Sequence, residues 1–375
     1  MTSVRFGYIT PVSTGELPTI GVEEELLLID PVTGHPVARN RDVANAAKDL
    51  GLELQLELTT CQVETTTPVV SSSAELRHHL VELRSTAIRA ARSVGVGVLA
   101  TGVPPTVPDS FPVTDSPRYR RIAEHYGMLA HEQGISGCHV HVAVPDREAA
   151  VQVSNHLRPA LPILLALTAN SAIYRDADSG FASWRRVLWS RWPAAGPPPY
   201  FQSAKHYDEL KATLIDSGLI LDDGMVYWDI RASENFPTIE VRIADVPATV
   251  EETVCFATIV RALVLTALRE LDAGNIAPEV SDGAVRTAQW LASRDGLAGN
   301  GFDLRTSTSR PAATLLDEMI EHVRPALDDL GEYDKTIAGL RVRNTQGNGA
   351  IRQQRAFAAG GIDAVVAEAA RLTKP

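Results

Sequence analysis

Apolar residues recur at helical spacing in two stretches that each begin with a capping signal. Ser72 and Glu75 form a capping box before apolar residues that share one helical face. Thr249 and Glu252 repeat the signal before a nearly all-apolar stretch that runs through Leu268, which predicts a long buried helix. The same spacing predicts further helices near residues 147–170, 203–217, 311–329 and 361–373.

A different, two-residue alternation marks the segment from residue 19 to residue 30, which predicts a strand. In that strand Glu23 and Glu25 point to one face and Glu24 points to the other. Two neighbouring carboxylates repel each other unless a cation or a proton intervenes, and a hard divalent ion meets this need well. Taken alone, the pair is better explained as the solvated edge of an antiparallel sheet.

The alternation returns in two later segments that carry histidine or arginine. The strand-like stretch 138–145 places His139 and His141 on one face, a pattern typical of a metal or phosphate site. The stretch 238–244 places Glu240 and Arg242 on one face, where a cross-strand ion pair is the simpler explanation.

A fourth segment, residues 52–65, offers Glu57, Gln62 and Glu64 as polar candidates. The odd offset between Glu57 and Glu64 requires a turn or bulge between them if both are to face the same side. Glu64 is the preferred ligand, because Glu57 also fits a solvated face.

Together the four segments predict an α+β fold. One antiparallel sheet would turn its polar face into an active-site funnel, with helices packed on the other face. A ligand set rich in oxygen, with histidine and arginine nearby, favours Mg²⁺ or Mn²⁺ bridging a nucleotide over a structural zinc.

Composition narrows the class of protein further. The 375 residues carry a net charge of -11, which argues against a nucleic-acid partner. The longest apolar stretch is too short for a membrane span, and the first residues lack a secretory h-region, so the expected location is the cytoplasm. Three cysteines without C-x-x-C spacing indicate reduced thiols. With no low-complexity linker, residues 1–375 are expected to form a single domain.

Six sequence elements together resemble the glutamate-cysteine ligase 2 family of bacterial carboxylate-amine ligases. They are Gly21-Val-Glu-Glu-Glu25, Gln62-Val-Glu64, Gly137-Cys-His-Val-His141, Trp228-Asp-Ile-Arg231, Thr238-Ile-Glu-Val-Arg242 and Asn344-Thr-Gln-Gly-Asn-Gly-Ala-Ile-Arg352. The resemblance covers nearly the whole chain. It implies the glutamine-synthetase-like fold, in which an antiparallel sheet forms the funnel, and it implies a homodimer or a larger assembly.

The resemblance also implies an activity and the roles of individual residues. The enzyme would transfer the γ-phosphate of ATP to a carboxylate, as in glutamate, and an amine such as cysteine would attack the acyl phosphate. The implied metal ligands are Glu23, Glu25, Glu64, His139 and Glu240. Arg242 would be catalytic and contact the nucleotide phosphates, while His141 and Arg231 would lie near the small-molecule substrate; the roles of His139 and His141 are interchangeable.

Three further residues are candidate contacts to ATP. Arg191 lies in a stretch of arginines and tryptophans, residues 184–192, for which cation-π packing is the alternative interpretation. Asn344 and Arg352 flank glycines that predict a loop closing over the nucleotide, although a surface turn explains the glycines equally well.

Other classes of protein remain open at this point. No P-loop or Rossmann glycine motif is present. A metal-dependent hydrolase that uses His139, His141 and Glu240 is the main alternative enzyme, although it leaves Glu23 and Glu25 unexplained. A nucleotide or metal sensor without turnover is the alternative from another class. A nucleophilic role for Cys138 is disfavoured, because adjacent strand residues face opposite sides.

Overall fold

The computed structural model describes residues 16–108 and 110–375. Its strands are β1 Ile20–Ile29, β2 Gln55–Leu56, β3 Gln62–Thr66, β4 Gly97–Leu99, β5 Gly137–Ala143, β6 Ile173–Tyr174, β7 Ala177–Asp178, β8 Ile230–Ala232, β9 Thr238–Asp245, β10 Asn300–Asp303 and β11 Thr308–Pro311.

The helices fill most of the remaining chain. They are α1 Asn40–Asp49, α2 Ser73–Ser93, α3 Pro117–Tyr126, α4 Met128–His131, α5 Arg147–Leu157, α6 Leu161–Thr168, α7 Trp184–Trp189, α8 Ala204–Asp216, α9 Val250–Asp272, α10 Asp282–Asp295, α11 Ala312–Asp329, α12 Tyr333–Gln346 and α13 Gly349–Thr373, with short 3₁₀ turns at Arg158–Ala160 and Asp223–Met225.

One seven-stranded antiparallel sheet organises the molecule. Its strands follow the order β2-β3-β1-β5-β9-β8, and β4 pairs with the end of β1. Every recorded pairing in this sheet is antiparallel, and the sheet does not close on itself. The predicted α+β fold, with an antiparallel sheet and helices on its other face, is therefore confirmed.

The alternation of β1 separates two kinds of carboxylate. Glu24 is fully buried on the helix side of the sheet. There Arg84 of α2 donates two hydrogen bonds to its carboxylate, with donor-to-oxygen distances of 2.7 and 2.8 Å. Thr253 of α9 donates a further hydrogen bond of 2.6 Å to Glu24. Arg84 also donates to the carbonyls of Pro247 and Ala248. This network ties β1 to α2 and α9, and it leaves the other face of the strand to Glu23 and Glu25.

Both predicted capping boxes lie at helix starts, but only the second is complete, because the carboxylate of Glu75 accepts from the backbone N–H of Ser71 rather than from that of Ser72. The side chain of Ser72 accepts from the backbone N–H of Glu75, and Thr249 and Glu252 bond reciprocally at the start of α9. The apolar faces of α2 and α9 then pack with the inner residues of β5 and β9 in the largest buried cluster. The long apolar helix through Leu268 is confirmed and extends to Asp272.

Two predicted helices are interrupted. The stretch 147–170 divides into α5, a 3₁₀ turn and α6, where Pro159 and Pro162 cannot donate backbone hydrogen bonds. In α13 the helical geometry breaks at Gly360 and Gly361, so the predicted helix at 361–373 is the second part of a longer element. Among the described residues 16–108 and 110–375, we find no helix with the length and apolar character of a membrane span. The single domain spanning residues 1–375 stays a prediction.

Candidate functional site

The polar face of the sheet forms the floor of an open cavity of about 600 Å³. All the polar residues that the strand alternation predicted to share a face line this cavity. They are Glu23, Glu25, Glu57, Gln62, Glu64, His139, His141, Glu240 and Arg242, with Arg231 from β8. The opposite residues Val140, Val142 and Val241 are buried among the helices. The alternation thus assigned the two faces of the sheet correctly.

Strand register places these side chains beside one another. Glu23 of β1 lies opposite His139 of β5, and Glu25 lies opposite Glu64 of β3. His141 in turn lies opposite Glu240 of β9. Residues far apart in the sequence therefore form one continuous polar row across four strands.

A bulge breaks the ladder between β5 and β9 at His139. Cys138 pairs with Ala244 and Val140 pairs with Val241, so two residues of β9, Arg242 and Ile243, face the single residue between them. Bulges of this kind bend a strand and redirect its side chains. Here Arg242 is brought to 3.4 Å from the Nδ1 atom of His139, inside the cavity.

The segment between β2 and β3 turns as the offset of its glutamates required. Bends at residues 57–61 separate the two strands, and Glu57 and Glu64 both line the cavity. The predicted turn is confirmed, and Glu57 joins Glu64 at the site.

Both histidines contact the carboxylate of Glu23. The Nδ1 atom of His139 lies 3.0 Å from Glu23, and its Nε2 atom lies 3.9 Å from Glu25. His141 presents Nε2 at 3.5 Å from Glu23, while its Nδ1 atom lies 3.1 Å from the hydroxyl of Thr238. Both imidazoles are nearly buried, so their orientations are fixed by these contacts.

Two groups of side chains have the spacing of a metal site. Ligand atoms of Glu23, His139 and Glu240 lie within 4.8 Å of one another, and so do those of Glu25, Glu64 and His139. His139 belongs to both groups. Carboxylate oxygens dominate each group, which is the donor set that Mg²⁺ and Mn²⁺ prefer.

Electrostatics divides the glutamates of the cavity into two classes. Burial, followed by repulsion from Glu25 and Glu23, raises the pKa of Glu57 to about 8, and burial with repulsion from the same residues raises the pKa of Glu64 well above its ordinary value. Burial also opposes ionisation of Glu240, but Arg231 and Arg242 outweigh it and hold the pKa of Glu240 well below its ordinary value. A bound cation would offset the repulsion among these carboxylates.

Arginines form the other electrostatic half of the site. Arg231 donates to Glu240 at 2.7 Å and to the carbonyl of Val226 at 2.9 Å, while Arg242 donates to the other oxygen of Glu240. These contacts fix both guanidinium groups against the polar floor. The cavity therefore offers carboxylates for cations and guanidinium groups for anions, side by side.

The sequence analysis missed several residues that line the cavity. Arg185 is 3% exposed and lies 3.9 Å from Asp245, while Arg118 forms a two-bond ion pair with Asp222 at 2.9 Å. Other missed residues of the lining include the aromatic side chains of Tyr119, Trp189 and Tyr227. Arg185 lay in the arginine-rich stretch 184–192, but sequence spacing gave no means of choosing it over its neighbours.

Three predicted nucleotide contacts lie elsewhere. Arg191 is partly exposed after the end of α7 and pairs with Glu132 at 2.7 Å. Arg352 pairs with Glu252 behind the sheet, also at 2.7 Å. Asn344 is exposed within α12. None of the three lines the cavity.

The expected glycine-bearing loop is much shorter than predicted. It is reduced to the junction between α12 and α13, where the side chain of Asn348 caps α13 by accepting from the N–H of Ile351. Gly347 has a φ of 83°, in the left-handed region that glycine tolerates, and this ends α12. The loop over the nucleotide is thus corrected to a tight helix-helix junction.

The three cysteines are free, and Cys138 and Cys61 are buried. The side chain of Cys138 lies on the helix side of the sheet, opposite to that of His139. Burial raises the pKa of its thiol well above the ordinary value. Reduced thiols are as predicted, and a thiolate nucleophile at Cys138 finds no support.

Comparison with solved structures identifies two proteins of similar fold and low sequence identity. Glutamate–cysteine ligase from Francisella tularensis in complex with AMP superposes with a TM-score of 0.70 at 14% identity, covering 95% of this chain and 88% of that chain. A bifunctional glutathione synthetase from Pasteurella multocida gives a TM-score of 0.69 at 15% identity, covering 95% of this chain and 52% of that chain. These similarities establish the fold.

Sequence comparison establishes the family. A protein of Mycolicibacterium vanbaalenii with the provisional name glutamate–cysteine ligase 2-2 is 57% identical over 359 residues, which is 96% of this chain and 98% of that protein. A relative from Salinispora tropica, provisionally named glutamate–cysteine ligase 2, is 45% identical and covers 95% of each chain. Residues 19–368 match the family model described as glutamate-cysteine ligase family 2. The chain belongs to glutamate-cysteine ligase family 2.

Proposed function

We propose that this ligase uses ATP to activate a carboxylate, most simply the γ-carboxylate of glutamate, as an acyl phosphate that an amine such as cysteine then attacks. The observation that carries this proposal is the cavity itself, where glutamates, histidines and arginines share one face of the sheet. The names of the relatives support glutamate and cysteine as the substrates.

The side chains present fit divalent cations. Two oxygen-rich ligand groups meet at His139, and repulsion from Glu23 and Glu25 adds to burial in raising the pKa of Glu57 and Glu64. A cation bound here would offset that repulsion. Glu23, Glu25, Glu64, His139 and Glu240 would hold the ions, and Glu57 is an additional candidate. When bound, Mg²⁺ ions would neutralise phosphate oxygens and so lower the barrier to transfer of the γ-phosphate.

The arginines supply the charge that a transferring phosphate needs. Arg242 presents a planar guanidinium that remains charged, since the nearby glutamates raise its pKa despite burial. Arg185 approaches the same end of β9, where its Nη2 atom donates to the carbonyl of Arg242. We assign Arg242 to the phosphate oxygens, with Arg185 adding positive charge beside it.

Other residues position these groups. Arg231 holds Glu240 by two hydrogen bonds of 2.7 and 3.3 Å, so its role is to fix a metal ligand. His141 is held by Thr238 on one side and by Glu23 on the other, which leaves it at the floor of the cavity to contact substrate. Burial of both groups limits the reorganisation needed during the reaction.

The decisive experiment follows ADP release with ATP, Mg²⁺, glutamate and cysteine, and identifies the product by mass spectrometry. Glutamate labelled with ¹⁸O in its γ-carboxylate should deliver one ¹⁸O atom to phosphate, because the acyl phosphate loses that oxygen with its phosphoryl group. ADP release with no amide product from any amine of a broad panel would refute ligation. Amine-independent substrate cleavage would indicate the hydrolase, and ATP binding without turnover would indicate the sensor.

Matched variants connect the activity to the cavity. Glu23→Gln and Glu25→Gln should each lower the turnover of ATP by about 10²-fold or more, because the loss of one charged ligand weakens transition-state stabilisation. Glu53→Gln is the control, since Glu53 is exposed outside the cavity. Near-normal turnover in both cavity variants would contradict the metal assignment.

A further inference from the structure

A second cavity of about 570 Å³ lies on the helix side of the sheet. It is enclosed by α2, α9, α12 and the start of α13, and it shares no lining residue with the cavity of the candidate active site. A volume of this size accommodates a small organic molecule.

Much of the wall is apolar. Side chains from α6, α9 and α12 supply this surface, among them Leu167, Val254, Phe256 and Val342. A ligand for such a wall needs an apolar body, since apolar area removed from water is the main source of affinity.

The acidic residues of the cavity already have partners. Glu252 pairs with Arg352 at 2.7 Å, and Glu251 pairs with Arg77 at 2.6 Å. Glu332 accepts from the hydroxyl of Ser73 at 2.6 Å and pairs with Lys335 at 3.0 Å. These pairs use three of the four basic side chains that line the cavity, and Arg343 is the fourth.

Arg343 is a buried charge that forms no ion pair with any carboxylate of the described residues 16–108 and 110–375. Its residue is 7% exposed, and its Nη2 atom is buried with no hydrogen-bond partner among the described residues 16–108 and 110–375. The hydroxyl of Thr336, which lies seven residues earlier on the same helix, is also buried without a partner in that part of the chain, and the residue is 3% exposed. Residues seven apart lie on the same face of α12, so both groups belong to one wall.

Buried polar groups are nearly always hydrogen-bonded, and a buried unpaired charge is costly to the folded state. A donor pair retained at such a cost indicates an acceptor that is supplied from outside the chain. An acidic group meets this need, because it accepts hydrogen bonds from a guanidinium and a hydroxyl while neutralising the charge.

We propose that this second cavity is a binding site for a small organic anion, whose acidic group is held by Arg343 and Thr336 and whose apolar body lies against α6, α9 and α12. The site is independent of the active-site cavity, and binding can be measured whether or not the ligase reaction proceeds.

The test uses a fluorescent probe of this chemistry, 8-anilinonaphthalene-1-sulfonate, with the neutral 1-anilinonaphthalene as its match. Arg343→Met keeps the length and apolar stem of the side chain, and Arg341→Met is the control because Arg341 is exposed on the same helix. Loss of one charge-assisted contact should lower the affinity for the sulfonate by about 10-fold or more, and affinity for the neutral probe should change little.

Thermal unfolding of the unliganded variants gives a second readout. Removing an unpaired buried charge should raise the melting temperature of Arg343→Met by about 2–4 °C or more, whereas loss of a structural arginine would lower it. Unchanged sulfonate binding in Arg343→Met would overturn the proposal, and so would equal losses for both probes. Sedimentation experiments would show whether the protein dimerises. If sulfonate binding disappears when the dimer forms, self-association closes the cavity, and the proposal is overturned.

Discussion

Replacement of Arg84 by methionine should destabilise the protein severely, because the buried carboxylate of Glu24 would lose its ion-pair partner. Both side chains are fully buried, and two hydrogen bonds of 2.7 and 2.8 Å join them. Breaking a buried ion pair by removing one partner costs about 3–5 kcal/mol. Methionine retains the apolar stem, so the loss of packing is small.

The backbone adds to this loss. Arg84 also donates to the carbonyls of Pro247 and Ala248 at 2.9 and 3.1 Å, and each buried acceptor left without a donor costs about 1–3 kcal/mol. The contributions overlap, since all share one guanidinium, so we expect a total near 4–5 kcal/mol. This is a large part of the roughly 5–15 kcal/mol by which folded proteins are stable.

Urea unfolding followed by tryptophan fluorescence measures the effect. Arg89→Met is the control, because Arg89 is exposed one and a half turns further along α2 and should change stability by less than about 0.5 kcal/mol. Glu24→Gln combined with Arg84→Met should recover part of the loss, since no charge then remains buried. A single Arg84→Met variant within about 1 kcal/mol of the native protein would refute the reasoning.

Three further outcomes are expected. In the metal-free protein burial raises the pKa of Glu57 from 4.5 to about 8, so its contribution favours the folded state fully below pH 4.5 and is lost as pH rises from there to about 8. The melting temperature in EDTA should therefore fall between about pH 5 and pH 8, and less so with Mg²⁺ or in Glu57→Gln. A metal-free fall that Glu57→Gln leaves unchanged would exclude this cause. Arg242→Lys should lower kcat/KM about 10²-fold with an unchanged circular dichroism spectrum, since an ammonium cannot reproduce a two-bond contact. Arg185→Lys should lose activity in the same steady-state assay, whereas Arg191→Lys should stay within about twofold of the native enzyme, because only the first of these arginines lines the cavity.

The sequence was most informative where structure depends on local geometry. A strand alternates its side chains irrespective of its neighbours, so the faces of Glu23, Glu24 and Glu25 followed from their order alone. The same holds for His139 and His141. Tertiary structure then added what alternation lacks, which is the register that sets Glu23 opposite His139.

Sequence reasoning failed where a side chain reaches the cavity through packing between distant elements. Arg118 comes from α3, and Arg185 comes from a six-residue helix in which successive arginines point in different directions. Arg186 of that helix bonds to Gln289, and Arg191 beyond it pairs with Glu132. Arg185, Arg186 and Arg191 share the same charge and neighbouring tryptophans, so the sequence offered no basis for choosing among them.

The glycines before Arg352 lie where one helix ends and the next begins, instead of forming the predicted loop. Glycine at a helix end and glycine in a mobile loop look alike in sequence, and here Gly347 ends one helix just before Asn348 starts the next. Arg352 consequently lies one turn inside α13, where it pairs with Glu252.

The three consecutive glutamates of β1 also limit how this strand can change its length. Deleting or inserting one residue before Glu23 within the strand would turn Glu24 toward the polar cavity and bury Glu23 and Glu25 against Arg84. A single change in length would therefore disrupt both the polar cavity and the buried ion pair between Glu24 and Arg84. Insertions and deletions among functional relatives should therefore be confined to the segments before Ile20 and after Ile29. Single substitutions inside the strand can still occur, because they do not shift its register.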